Sequence, residues 1–158
     1  VSETKTFTEQ EAHKYFGVQL NNKVWELLGK ENRSEQENET MIHAAHTSYY
    51  HWSLIGTVFN LGRGEWMISH VYAVLNQPEP ALHYAQRCLQ ICLDNQIGDF
   101  DLAYAYEAMA RALAAKGDLA EAGKYLSLAK EAGEQIKNDE DKRIFVGDFE
   151  TGPWYGLK

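Results

Sequence analysis

Apolar residues recur along this chain at spacings of three and four over long windows, and the alternation of a half-buried strand is hard to find. The pattern predicts an all-α protein of about seven helices. The first starts near Thr8, where Glu11 completes a capping-box pattern, and runs through Tyr15, Phe16, Leu20, Val24, Trp25 and Leu28 to Gly29. The charged segment KENRSEQENE reads as a loop into a second helix over residues 36–58, with Gly62 and Gly64 expected to mark the break after it. A third helix, EWMISHVYAVL, stops at NQPEP, where Pro78 suits the first turn of a fourth that ends at Gly98. Asp99 or Asp101 is expected to cap a fifth helix closed by Gly117, and Asp118 to cap a sixth. A shorter helix around 139–149 and the tail TGPWYGLK complete the pattern.

Paired helices with short breaks invite a search for repeats. VYAVLNQPEPALHYAQRCLQI aligns with RALAAKGDLAEAGKYLSLAKE: Asn76-Gln77 falls on Gly117-Asp118, Ala81 on Ala122 and Cys88 on Ala129, an offset of 41 residues. Small side chains at such positions let two antiparallel helices approach closely. Ala110, Gly117-Asp118, Ala122, Leu126 and Ala129 resemble the pattern of the tetratricopeptide repeat family. Tyr72, Ala81, Tyr84 and Cys88 match it less closely, with Ser69 at the small position and Asn76-Gln77 replacing Gly-Asp. The offset exceeds the family's usual period of about 34 residues and is similar to its extended-helix variants. The whole chain also resembles a group of bacterial proteins that supplies no activity to carry over.

The resemblance implies a short right-handed solenoid of stacked antiparallel hairpins within one domain, 1–158. Residues 1–60 form a non-repeat helical pair, 62–138 two repeats, and 139–158 a capping helix and tail. It also implies a concave groove that meets a peptide or partner protein through Arg63, Trp66, Met67 and His70, then Tyr104, Glu107, Ala108 and Arg111. Aromatic anchors and two arginines there suit bidentate capture of a carboxylate. Trp66 and Met67 are equally suited to packing against the second helix, and Glu107 and Arg111, at i and i+4, to pairing only with each other on a solvated face.

Composition narrows the partners. A formal net charge of −8, with no basic stripe, disfavours nucleic acid and anionic membrane surfaces. No apolar run approaches the roughly 18 residues of a membrane span, and VSETKTFTEQEAHKY does not read as a secretion signal. Cys88 and Cys92 share one helix face as two buried thiols, which fits a reducing cytoplasm.

The stretch ETMIHAAHTSYYHWSL holds the densest chemistry. Glu39, His43, His46 and Tyr50 lie on one helical stripe, so Glu39, His43 and His46, with His51 or His70, form a candidate metal set. The HExxH order and the paired Glu-x-x-His of di-iron bundles are both missing. The plainer reading buries Met41, Ala44, Ala45, Ser48, Trp52 and Ile55 and leaves the histidines on the flanks. No serine, including Ser48, Ser53 and Ser69, stands in a nucleophile elbow, and no catalytic residue or cofactor is assigned. The expected function is therefore a non-catalytic, cytoplasmic interaction module or scaffold. The alternative is a metal- or small-ligand-binding enzyme or sensor built on the second helix. Trp154, Tyr155 and Leu157 are expected to fold back as a cap, or else to serve as a homodimer contact.

Overall fold

The structure, a computed structural model, describes residues 3–158. Among them are seven helices and no strand: α1 (Glu9–Leu28), α2 (Glu35–Ile55), α3 (Val58–Val74), α4 (Pro78–Asp94), α5 (Asp99–Lys116), α6 (Leu119–Glu134) and α7 (Asp139–Glu150). Consecutive helices pair as hairpins, α1 with α2, α3 with α4 and α5 with α6; α5 also packs on α3 and α4, and α7 lies against α5 and α6.

Local chemistry sets the boundaries. Thr8 with Glu11, and Ser34 with Glu37, form full capping boxes that satisfy otherwise unpaired N–H groups at the starts of α1 and α2. Gly117 closes α5 in the left-handed region at φ 89°, and the Asp118 side chain accepts from the Glu121 N–H to start α6.

Two expectations fail at helix starts. Gly62 and Gly64 do not break the chain, because α3 runs through both; the break is at Gly56 and Thr57, whose backbones are extended. Both glycines instead admit close neighbours: a Cβ at Gly64 would lie 2.7 Å from the Tyr49 ring, and one at Gly62 would touch Ile91 at 3.5 Å. Neither Asp99 nor Asp101 caps α5. Gly98 holds the cap position without a side-chain bond, Asp99 accepts from the Phe100 N–H, and Asp101 turns to Arg63.

The core runs along α5, whose Ala103, Ala105, Ala108, Ala110, Ala112 and Ala114 are all buried between neighbouring helices. The aligned small positions Ala81, Cys88, Ala122 and Ala129 are buried too, as close helix approach requires. In α2, Met41, Ala44, Ala45 and Ser48 are buried as expected, while Trp52 and Ile55 are half-buried. Ser48 donates to the Gly17 carbonyl at 2.7 Å, and a Cβ at Gly17 would meet the Trp52 indole at 2.9 Å. No described helix is long and apolar enough to cross a membrane.

Candidate functional site

The first half of α3 presents two columns of residues, Val58, Gly62, Trp66 and Phe59, Arg63, Met67, to a pocket of about 230 Å³. Asn21 and Trp25 of α1 line it, with Cys88 and Cys92 of α4, Ile97 of the following turn, Phe100, Asp101 and Tyr104 of α5, and Ile144 and Asp148 of α7. Trp66 and Met67 form a buried floor, whereas Trp25, Phe59 and Ile144 are exposed. The floor is cross-braced by aromatic contacts: Trp25 stacks on Trp66 at 6.0 Å, and Tyr104 meets Trp66 edge-on at 5.1 Å.

The polar groups are few and already engaged. Arg63 makes a bidentate pair with Asp101, at 2.7 and 3.1 Å, and lies 5.7 Å from the centre of the Phe100 ring. This partnership raises the Arg63 pKa, so the guanidinium stays charged. Tyr104 donates to Asp148 at 2.5 Å; burial, then the Asp148 carboxylate, raises its pKa, leaving a neutral phenol. Cys88 and Cys92 are free thiols, and a hydrogen bond to Cys92 together with burial keeps the Cys88 thiol protonated.

Of the eight residues assigned to a concave groove, Arg63, Trp66, Met67 and Tyr104 line this pocket, and buried Ala108 does not. Nor do Glu107, Arg111 and His70: the chain's own C-terminal segment covers Arg111, Glu107 is taken up by Trp66 and Arg111, and His70 stacks on Trp66. Glu107 accepts from the Trp66 indole at 2.8 Å and from Arg111 Nε at 2.5 Å. Arg111 then donates to the carbonyls of Thr151 at 2.9 Å, Pro153 at 3.0 Å and Asp148 at 3.3 Å, with Trp154 stacked over its guanidinium at 4.1 Å. Tyr155 reaches across to donate to the Ala73 carbonyl of α3. The guanidinium and its carboxylate are each only 1% exposed. The tail therefore caps the inner face over α5 and α3, and its Trp154 is buried within the chain.

His70 stacks on Trp66 at 4.8 Å, and its Nδ1 is buried without a hydrogen-bond partner. Burial, assisted by the Arg111 charge, lowers its pKa to about 3. The proposed metal ligands are not brought together. Glu39 reaches only His43, at 3.9 Å on the exposed face, while His46 bonds the Tyr72 hydroxyl at 3.0 Å and packs on the Tyr84 ring. No group of three or more His, Cys, Asp or Glu among the described residues is arranged to hold a metal. His51 instead shares a 2.9 Å hydrogen bond with His13 of α1.

Sequence reasoning missed Trp25, Phe59, Phe100, Asp101, Ile144 and Asp148. An aromatic near the end of α1 and an acid in the first turn of α5 were available signals, but only the docking of α7 brings Ile144 and Asp148 to the wall. Comparison of the chain with family models, with curated proteins and with solved structures gives no match.

Proposed function

We propose that the chain is a non-catalytic binding module of the tetratricopeptide-repeat type, in which a partner protein or peptide inserts an apolar side chain between α1, α3, α5 and α7. The observation that carries this reading is the pocket itself, with an apolar floor of Trp66 and Met67 and exposed Trp25, Phe59 and Ile144 among its lining. Its volume of about 230 Å³ exceeds the roughly 150 Å³ that accommodates benzene in an engineered protein cavity. One aromatic or branched aliphatic anchor therefore has room. The peptide-sized groove implied by the family resemblance is shortened here, because the tail occupies its Arg111 end.

A display selection tests the reading. Random peptides are selected on the immobilised protein and re-screened on a Trp25→Ala/Phe59→Ala variant, whose changes fall on exposed side chains. Enriched peptides are expected to share an apolar anchor and to lose most of their binding on the variant. Enriched peptides that bind both proteins equally would remove the pocket from the account.

A further inference from the structure

We infer that the segment docking in this pocket is basic, an apolar anchor flanked by Lys or Arg, an inference that rests on the reading of the pocket as a partner's docking site. Neither arginine expected to draw a carboxylate is available. Arg63 is held by both oxygens of Asp101, and Arg111 is closed in by Glu107, two tail carbonyls and the Asp148 carbonyl of α7. What faces an incoming ligand is acidic. Asp101 and Asp148 line the pocket, and Asp141 stands two turns before Asp148 on α7, close enough to act on the charge of Arg63 and the phenol of Tyr104. Neither Asp141 nor Asp148 has an ion-pair partner among the described residues. The neighbouring cations of α7 are turned elsewhere, Lys142 to the Glu134 carbonyl and Arg143 to Glu140. Two carboxylates of the lining, Asp101 and Asp148, with Asp141 nearby, thus outnumber the one guanidinium of the pocket, in a chain whose net charge is −8. The exposed rings of Trp25 and Phe59 add faces on which a cation can rest, as Arg63 already does on Phe100. Charge complementarity of this kind selects partners and speeds their encounter.

Three fluorescein-labelled peptides, blocked at both ends, test the inference on the full chain: Lys-Lys-Leu-Phe-Lys-Lys, Gln-Gln-Leu-Phe-Gln-Gln and Glu-Glu-Leu-Phe-Glu-Glu. Fluorescence anisotropy at low salt should rank their affinities in that order, with the lysine peptide about tenfold tighter than the glutamine peptide. High salt should narrow the gap. Asp141→Asn/Asp148→Asn should reduce the lysine advantage, read as the ratio of lysine- to glutamine-peptide affinity, and an amide oxygen at position 148 still accepts from Tyr104. Trp25→Ala/Phe59→Ala should weaken all three. Equal affinities that still depend on Trp25 and Phe59 would overturn the charge preference and leave the docking site standing. A tighter glutamate peptide, or a lysine advantage untouched by Asp141→Asn/Asp148→Asn, would also overturn it. Failure of all three to bind would remove the docking reading itself.

Discussion

Arg63 and Arg111, placed by the family pattern on one groove, end in different roles because their surroundings differ. Arg63 remains at the surface, where an ion pair adds little stability but fixes the local charge. Arg111 is buried, and a buried guanidinium is tolerable only when its donors are satisfied. Glu107 and the carbonyls of residues 148, 151 and 153 do this, so the charge holds the tail in place. His70, beside them, has the opposite problem: a half-buried imidazole whose Nδ1 is buried and unpartnered, next to a positive charge. Above pH 6.5 it is neutral in folded and unfolded chains alike. Between 6.5 and about 3 the unfolded chain takes up the proton and the folded chain does not. Stability therefore falls as pH falls through that window, by up to about 1.4 kcal/mol per pH unit from this group. His70→Phe keeps the stack on Trp66 and removes the titration. Urea unfolding at stepped pH should show the variant gaining on the wild type as pH drops below 6.5; parallel curves would contradict the assignment.

At the scale of elements, α7 decides whether the pocket has a wall. It is held by Phe145, which is 2% exposed, makes edge contact with Tyr104 at 5.0 Å and packs its ring on Gly133 of α6. No side chain fits at Gly133 without moving that ring. Gly133→Ala should therefore destabilise the chain by about 1–3 kcal/mol, the usual range for overpacking. In hydrogen exchange, the loss of protection should concentrate in α7 and the tail; a uniform loss would place Phe145 outside that role.

The same contrast explains what the sequence revealed. Helix count, the Thr8–Glu11 capping box and the small positions along α4, α5 and α6 follow from periodicity and local chemistry, so they were readable. Gly62 and Gly64 misled because a glycine inside a helix and a glycine ending one look alike until the neighbour is seen. The pocket was half readable, since the family resemblance pointed to Arg63, Trp66, Met67 and Tyr104 of α3 and α5. Its other half comes from α1 and α7, whose docking no local pattern encodes.

For the whole molecule, the hairpins and the C-terminal segment divide the inner face between two uses. Over α3 and α5 the tail fills it with Trp154 and Tyr155, ending the stack with the chain's own residues. Near α1 and the start of α3 an apolar, acid-edged pocket stays open. The histidine stripe of α2 belongs to neither, since His46 completes an aromatic packing with Tyr72 and Tyr84. The central claim is that the open pocket, and not the tail-filled region, receives a partner. Methyl NMR during titration with the lysine peptide tests it most directly. The methyls of Met67, Ile97 and Ile144 should shift in a saturable, concerted way, while those of Leu157 in the tail and Ala108 of α5 stay put. Shifts confined to Leu157 and Ala108, with the pocket methyls unmoved, would contradict the account.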